Sequence, residues 1–388
     1  MSTANTMRQS TGESGEAGKG RREGRLPRIL IIATGGTIAS TDEGDGLTPT
    51  LSGEDLVAFV PELARIAQID VVQPMNLDST NVAPDDWLRM VRIVRESYDA
   101  YDGFVLTHGT DTMAYTAAGL AYLIQNSSKP IVLTGSQLSM ADPATDAKRN
   151  LRDAVRYAAD PVAHGVVVVF CGKVIEGTRA RKQRTRSFDA FESVNVPPLC
   201  VLDDGDGEGE AHADGPAGAG ERAGVLAAEL SVPGNVSDAS AQRVADIPDG
   251  PTFYDQLNQR VFVLKLVPGL SQHVFAALAD DYDALIIEAF GLGGIPDQRP
   301  NTLSGVVDVW LDAGKSIVIT TQVPEEGSDP TVYEVGRTFA QKDGVLLAGD
   351  MTTEAAFGKM MWVRAQTSDP ACIRELFYRP VQHDRIVE

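Results

Sequence analysis

A short apolar run near the start of the chain predicts the first strand of a buried sheet. Residues 28–33 read Arg-Ile-Leu-Ile-Ile-Ala, and the run stops at Thr34, Gly35 and Gly36. A run this short and this apolar is typical of a strand that is covered on both faces. The two glycines predict a tight turn in which a ligand can approach the main chain. Polar turns at the carboxyl ends of buried strands are where open α/β sheets bind ligands.

Three later apolar runs end in polar residues in the same way. They span residues 103–107, 131–133 and 166–170. The polar residues that follow them are His108 to Thr112, Thr134 to Gln137, and Cys171 to Lys173 with Gly177 to Lys182. Helical patterns over residues 113–126 and 145–159 lie between the runs, and this alternation predicts a parallel, doubly wound sheet. The polar strand ends are then expected to gather along one edge of the sheet.

The second half of the chain predicts a smaller unit of the same kind. Strand patterns cover residues 261–266, 284–287 and 316–320, and helical patterns cover residues 271–279, 303–313 and 370–377. Residues 203–250 interrupt the alternation with Asp and Glu interleaved with Gly and Ala, a composition typical of a linker or surface insertion. The predicted fold is α/β with two domains: a larger N-terminal parallel-type sheet with flanking helices, and a smaller C-terminal α/β domain.

The domain limits follow from these changes in pattern. Residues 1–26 have the low hydrophobicity of a disordered tail. Residues 27–202 form the predicted N-terminal α/β domain, which carries the candidate chemistry. Residues 203–250 are the acidic linker or insertion, and residues 251–388 form the predicted C-terminal domain.

Charge and cysteine content narrow the class of partner. The chain has 54 acidic and 34 basic residues and a formal net charge of −20. This balance argues against nucleic acid or an anionic membrane as a partner and favours a small-molecule substrate. The three cysteines lack the spacing of a disulfide framework or zinc site, so a reducing cytoplasm is expected. No segment has the roughly 20 apolar residues of a membrane span.

Several common chemistries fit the polar strand ends poorly. Of the five histidines only His108 follows a predicted strand, so a Ser-His-Asp hydrolase would depend on that residue alone. The Gly-Gly-Thr turn lacks the spacing of a phosphate-binding loop, and the glycines of residues 291–294 favour a simple tight turn over a dinucleotide site. The His, Cys, Asp and Glu residues show no metal-ligand spacing. No metal and no cofactor are therefore expected.

Hydroxyl groups, one lysine and one carboxylate remain at the predicted edge. Thr37 and Thr110 are candidate nucleophiles, and Lys182 and Asp111 are their candidate charged partners. A threonine hydroxyl is a weak nucleophile unless a base takes its proton, and a lysine can serve as that base through an intermediate hydroxyl. Such a set suits acyl transfer, and from the residues alone either hydroxyl can be the one that attacks.

Two of these segments resemble the signature motifs of bacterial-type L-asparaginases. They are Thr-Gly-Gly-Thr-Ile-Ala at residues 34–39 and His-Gly-Thr-Asp-Thr-Met at residues 108–113. The resemblance continues through residues 129–137, Lys182 and residues 333–337. It covers roughly residues 28 to 388, apart from the acidic segment.

The resemblance implies a role for each matching residue. Thr37 corresponds to the attacking nucleophile of the family, and Thr34 to a structural neighbour. Thr110, Asp111 and Lys182 correspond to the group that relays protons. The family's active sites need a neighbouring subunit, so a homo-oligomer, either a dimer or a tetramer, is also implied.

The substrate of such an enzyme is an amino-acid amide, and the chain offers groups for both of its charged ends. Asp111 can bind the α-ammonium, and Ser79 with nearby backbone N–H groups can bind the α-carboxylate. The expected substrate-binding residues are Asp78, Ser79, Thr80, Thr110 and Asp111. Thr80 stands where the exported branch of the family has a longer glutamine, so this loop is more similar to that of the cytoplasmic branch.

Three functions are compatible with these residues. The first is an L-asparagine amidohydrolase that releases aspartate and ammonia by threonine attack. The second is an amidotransferase subunit of the same fold that passes ammonia to a partner acting on charged transfer RNA. The third is an amino-acid-binding protein that has kept the cleft and lost the chemistry. An ammonia-release assay with asparagine separates the first from the third.

Overall fold

The computed structural model describes residues 25–42, 47–203, 250–298 and 301–386. Most of the predicted tail and of the predicted acidic segment, including residues 204–249, lies outside the described residues. Within the described part of the chain, the longest helices have 14 residues, and none has the length and apolar character that a membrane crossing requires.

The described strands and helices alternate along the chain. The strands are β1 (Arg28–Ala33), β2 (Ser40–Asp42), β3 (Leu47–Pro49), β4 (Gln68–Val72), β5 (Gly103–Thr107), β6 (Ile124–Gln125), β7 (Pro130–Thr134), β8 (Gly165–Phe170), β9 (Lys173–Glu176), β10 (Ala180–Lys182), β11 (Phe191–Ser193), β12 (Cys200–Val201), β13 (Thr252–Phe253), β14 (Val261–Lys265), β15 (Ala284–Ala289), β16 (Asp297–Gln298), β17 (Asn301–Thr302), β18 (Ser316–Thr321) and β19 (Val345–Leu347). The helices are α1 (Gly53–Ala58), α2 (Pro84–Ser97), α3 (Met113–Leu123), α4 (Ala147–Ala158), α5 (His273–Ala279), α6 (Ser304–Asp312), α7 (Glu334–Ala340), α8 (Thr353–Gln366) and α9 (Pro370–Tyr378).

The larger sheet has seven strands in the order β12-β9-β8-β7-β5-β1-β4. The pairs from β4 to β8 are parallel, and β9 and β12 add an antiparallel edge. Along β1, Leu30 and Ile32 face one apolar cluster with α2 and α3, whereas Ile29 and Ile31 face the other with α1 and α4. Each face of the sheet is therefore covered by helices, which is why these strands are apolar throughout.

The smaller sheet is parallel and has the strand order β14-β15-β18-β19. One face packs on Phe275, Trp310 and Phe339 of its own helices. Helix α8, on the other side, reaches the N-terminal unit, where the rings of Trp362 and Tyr122 stack with centroids 6.3 Å apart. The predicted two-domain α/β fold is confirmed.

The end of one helix differs from the predicted pattern. The helix predicted over residues 113–126 ends at Leu123, because residues 124–125 leave it as β6 to pair with β13. That pairing attaches residues 252–253 to the N-terminal unit, although they follow the acidic segment. The predicted division at residues 250 and 251 stays a prediction.

Candidate active site

The first part of the site is the turn that follows β1. Gly35 and Gly36 have φ angles of +105° and +82°, which favour glycine. A Cβ atom on Gly36 would lie 2.3 Å from the backbone nitrogen of Gly109, so no side chain fits between the two turns. The Thr34 hydroxyl is buried and donates to the Thr107 carbonyl at 2.8 Å, as a structural neighbour would. Thr37 follows directly and is partly exposed.

The second part is the turn after β5, which packs against Ser79. A Cβ atom on Gly109 would lie 2.6 Å from the Ser79 hydroxyl oxygen. The Asp111 backbone N–H donates to that oxygen at 3.3 Å, and the Thr112 hydroxyl donates to the Ser79 carbonyl at 2.7 Å. The structure thus brings the predicted substrate loop to the predicted proton-relay residues.

The loop itself is held by an Asp78–Thr80 contact. The Asp78 carboxylate accepts from the Thr80 backbone N–H at 2.8 Å and from its hydroxyl at 2.7 Å. The Thr80 hydroxyl, aided by its N–H, lowers the pKa of Asp78 below its usual value. Asp78 and Thr80 therefore shape the turn, and Ser79 is the member that contacts the second motif.

Lys182 completes the cluster from another segment of the chain. It lies at the end of β10, which pairs with β11 as a two-stranded ribbon. Its Nζ donates to the Thr110 hydroxyl oxygen at 2.7 Å and to an Asp111 carboxylate oxygen at 2.6 Å. The Lys182 side chain is 16% exposed and that of Asp111 is 57% exposed. The ammonium is thus partly enclosed, and the carboxylate is open to a ligand.

Gln137 also reaches the cluster, although the sequence reasoning did not select it as a site residue. Its Oε1 lies 3.5 Å from the Thr110 hydroxyl oxygen, and its Nε2 donates to the Ser187 carbonyl at 3.0 Å. The Asp146 carboxylate accepts from the Gln137 backbone N–H at 3.0 and 3.1 Å. Burial raises the pKa of Asp146, and these hydrogen bonds oppose the rise. Gln137 lies just after β7, on the same sheet edge as the other site residues, and this position was the sequence signal that could have identified it.

His108 is separated from the chemistry of this edge. The side chain is fully buried, with Nδ1 2.7 Å from the Gly109 carbonyl and Nε2 3.0 Å from the Thr116 hydroxyl. Because a carbonyl only accepts, Nδ1 carries the proton and Nε2 accepts from Thr116. Burial lowers the pKa of His108 and keeps the ring neutral. It serves as a packed core residue, which disfavours a Ser-His-Asp hydrolase.

No cluster of three or more His, Cys, Asp or Glu side chains suited to a metal ion occurs among the residues that the structure describes. The expectation that the protein needs no metal and no cofactor stays a prediction.

The fold and the cluster together define a class of protein. A two-domain α/β chain that collects a lysine, a carboxylate and threonine hydroxyls at the carboxyl edge of its larger sheet has the groups of an acyl-transfer enzyme. Residues 28–213 match the family model described as asparaginase, N-terminal, and residues 260–377 match the glutaminase/asparaginase C-terminal domain. The chain belongs to the asparaginase family, as the two sequence motifs predicted.

Individual relatives agree with this membership. The chain is 37% identical over 359 residues to an L-asparaginase of Thermococcus kodakarensis, covering 91% of this chain and 98% of the relative. It is 33% identical over 381 residues to a subunit of the glutamyl-tRNA(Gln) amidotransferase of Metallosphaera sedula, covering 95% of this chain and 79% of the relative.

Solved structures show the same fold. The thermostable L-asparaginase from Thermococcus kodakarensis superposes with a TM-score of 0.76 at 36% identity, covering 93% of this chain and all of the other. L-asparaginase I from Vibrio cholerae superposes with a TM-score of 0.74 at 27% identity and the same coverage.

Proposed function

We propose that the protein is an L-asparagine amidohydrolase that releases aspartate and ammonia, with Thr37 as the nucleophile. The observation that carries the proposal is the Lys182 ammonium, which lies 2.7 Å from the Thr110 hydroxyl and 2.6 Å from the Asp111 carboxylate. Gly36 approaches Gly109 closely, so the turn that contains Thr37 lies beside the turn that contains Thr110. The similarity to named L-asparaginases supports the choice of reaction.

The proposed reaction has two halves. The Thr37 oxygen bonds to the side-chain amide carbon, its proton passes to the amide nitrogen, and the C–N bond breaks to release ammonia. Water then attacks the resulting ester, restores the Thr37 hydroxyl and releases aspartate. Thr110 and Lys182 relay the protons, and backbone N–H groups beside Gly36 and Gly109 stabilise the negative oxygen of each tetrahedral intermediate.

Substrate binding in this proposal uses charge at one end and hydrogen-bond donors at the other. The open Asp111 carboxylate pairs with the α-ammonium. Ser79, held by Asp78 and Thr80 in its turn, donates to the α-carboxylate together with neighbouring N–H groups. Fixing both α-groups leaves the length of the side chain to decide whether its amide carbon reaches Thr37.

A second candidate is the ammonia-donating subunit of an amidotransferase. It is favoured by the similarity to relatives with that name, such as the Metallosphaera sedula protein at 33% identity. The higher identity to an L-asparaginase and the net charge of −20, which disfavours binding near transfer RNA, support the hydrolase instead. The third candidate remains a binding protein without activity.

Ammonia release from free asparagine by the purified chain separates the three candidates. The proposal expects steady release without any partner protein and its loss in Lys182→Met. Binding of asparagine without release identifies a binding protein. Release that requires a partner and an aminoacylated acceptor identifies the amidotransferase subunit.

We also propose that the protein is a cytoplasmic homo-oligomer, either a dimer or a tetramer. Exposed apolar side chains of the C-terminal unit support the assembly: Leu292 after β15, Val323 after β18 and Tyr333 at the start of α7 are 37%, 48% and 60% exposed. Cys171, Cys200 and Cys372 are all free thiols, which suits a reducing compartment. Sedimentation velocity of the native chain and of Val323→Glu tests the assembly. A native monomer would contradict it.

A further inference from the structure

The ribbon that carries Lys182 is fastened at its base to the C-terminal domain. Arg179, three residues before Lys182, has a fully buried side chain. Its Nη1 lies 2.8 Å from an Asp350 carboxylate oxygen and 2.9 Å from the Asp350 carbonyl, to which it donates. Its Nε donates to the His383 carbonyl at 2.6 Å. The strand that delivers the lysine therefore starts from a contact between the two domains.

The other strand of the ribbon leads to the same residue. Asn195 lies just beyond β11, and its Nδ2 donates to the Asp350 carbonyl at 2.8 Å. The turn that precedes β10 is also held by the C-terminal domain. The Thr178 hydroxyl donates to the Gln382 carbonyl at 2.7 Å, and the Thr352 hydroxyl donates to the Thr178 carbonyl at 3.2 Å. Both strands and the turn thus converge on the Asp350 loop and the C-terminal segment.

The negative charge of Asp350 holds the buried Arg179 side chain in place. A guanidinium stays protonated in proteins, so the buried Arg179 needs a carboxylate partner. Removing one member of a buried pair leaves an uncompensated charge, which drives the remaining group towards water. Asp350 is 19% exposed, so its side chain tolerates a conservative change better than Arg179 does.

The requirement at the other end of the ribbon is geometric. The Lys182 ammonium must reach two oxygen atoms at hydrogen-bond distance, and three extended residues separate it from Arg179 by roughly 10 Å. A shift of about 1 Å at a reacting group can lower a rate roughly 10²-fold even when the cause is remote. The proposed substrate-binding groups depend on the ribbon less: Asp111 contacts it through the Lys182 ammonium, but the Asp111 backbone N–H is held separately by the Ser79 hydroxyl.

We propose that Asp350 is a positioning residue for Lys182, so that the C-terminal domain of a chain aligns the proton relay in the N-terminal domain of the same chain. Asp350 acts through Arg179 and Asn195 and does not touch the substrate. The inference rests on the proposed role of Lys182 in the hydrolysis of asparagine.

The test compares Asp350→Asn with Asp283→Asn. Asp283 is a matched control, because it forms an ion pair with Arg260 at 3.2 Å in the C-terminal domain, away from the ribbon, and is 27% exposed. Asp350→Asn is expected to lower kcat about tenfold or more while KM and the affinity for aspartate change less than about threefold. Asp283→Asn is expected to keep kcat within about twofold, since surface pairs contribute little. Both are assayed where circular dichroism shows them folded.

Asn195→Gly provides a milder second variant. Asn195 has a φ of +63°, which glycine adopts without strain, so the change removes the contact with the Asp350 carbonyl and leaves the backbone path possible. We expect a severalfold loss in kcat with little change in KM. This variant tests the inference even if Asp350→Asn does not fold.

The outcomes separate the inference from the function on which it rests. If Lys182→Met keeps the native kcat, the proposed proton relay is wrong. If Lys182→Met is inactive while Asp350→Asn and Asn195→Gly keep kcat within about twofold of the native enzyme, the inference alone is wrong. A rise in KM with unchanged kcat would also overturn it, because that result indicates altered binding of the substrate.

Discussion

At the scale of residues, the site pairs one enclosed cation with one open carboxylate. Lys182 donates to the Thr110 hydroxyl and to the Asp111 carboxylate at the same time, so one cation links the hydroxyl to the carboxylate that is open to a ligand. His108 lies two residues before Thr110 in the chain, yet its ring is neutral and hydrogen-bonded to the Gly109 carbonyl and the Thr116 hydroxyl. The available proton-transfer groups are therefore the lysine and the hydroxyls.

The substrate loop leads to a prediction about chain length in the substrate. With both α-groups held by Asp111 and Ser79, glutamine places its amide carbon one methylene beyond the position of the asparagine carbon. We expect kcat/KM for asparagine to exceed that for glutamine by about tenfold or more, within the usual range for one methylene. Steady-state ammonia release with each amide measures the ratio. Comparable values would contradict the rigid placement of the α-groups.

The buried His108 predicts how stability depends on pH. Burial lowers its pKa in the folded protein, while the unfolded chain takes up a proton at the ordinary value of 6.5. The unfolded state then binds more protons below pH 6.5, so stability falls as the pH drops from that value towards the lowered pKa. We expect the native free energy of unfolding to fall faster with decreasing pH than that of His108→Asn, by at most about 1.4 kcal/mol per pH unit.

Urea titrations of both proteins between about pH 6.5 and about pH 5 measure this difference in slope. Asparagine is the suitable replacement, because its Nδ2 can still donate to the Gly109 carbonyl and it does not titrate in this range. Parallel slopes for the two proteins would show that His108 takes up no proton on unfolding.

At the scale of elements, the sequence predicted those helices and strands that carry a regular pattern of apolar and polar residues. Ser52 precedes α1 and forms a capping box with Asp55, a local pattern that marks a helix start. The apolar strands β1, β5, β7 and β8 lie close to their predicted limits. Helix α8 was missed because it is buried on nearly every side and shows no amphipathic repeat. Short strands such as β19 give too few residues for a periodic pattern.

Helix α8 also carries a buried ion pair that yields a stability prediction. Lys359 and Asp384 are 2.5 Å apart and fully buried, and the Tyr122 hydroxyl donates to the same carboxylate at 2.9 Å. Burial is the main cause that lowers the pKa of Lys359 to about 8. Lys359→Met leaves the carboxylate without its counter-charge, and we expect a loss on the order of 3 to 5 kcal/mol.

The double variant Lys359→Met with Asp384→Asn is the control. It removes both charges, keeps one oxygen to accept from the Val381 N–H, and supplies an amide N–H that can donate to the Tyr122 hydroxyl oxygen, so most of the lost stability should return. Free energies of unfolding from urea titration measure both proteins. Equal losses in the single and double variants would show that packing, and not the uncompensated charge, is responsible.

At the scale of the whole molecule, the gathering of polar strand ends could be predicted because parallel strands share their carboxyl edge. The cluster of Thr110, Asp111 and Lys182 unites residues that lie 72 positions apart. The residues alone offered Lys182 as a candidate, but the family motif was needed to assign it a role, since residues 179–184 by themselves read as a basic surface stretch. The structure buries Arg179, encloses Lys182 and leaves Arg184 exposed. Contacts from Asp350 across the domains carry no local sequence signal.

We expect the protein to tolerate replacement of the acidic segment. Residues 204–221 lie outside the described residues, and their composition is that of a linker with no apolar periodicity. Replacing them with a short Gly/Ser linker should keep kcat within about twofold and the melting temperature nearly unchanged, because loop length affects stability only weakly. Ammonia release and thermal unfolding of the variant measure this. Loss of soluble protein or a tenfold fall in turnover would contradict the prediction.

The central claim is that Thr37 attacks the amide and that Thr110 links Lys182 to the reaction. Single-turnover kinetics of Thr37→Ala and Thr110→Val with asparagine, read by intact-mass spectrometry, test it most directly. Thr34→Val is the matched control, because it removes a neighbouring buried hydroxyl that donates to the Thr107 carbonyl.

Thr37→Ala should form no acyl-enzyme, and each of the two site variants should lose roughly 10³-fold or more in kcat, about 4 kcal/mol. The double variant should be little worse than the worse single variant, because the groups act as a unit. Thr34→Val should still form the adduct on Thr37. An adduct on Thr110 in Thr37→Ala would reverse the assignment, and near-native kcat in both site variants would contradict the hydroxyl mechanism.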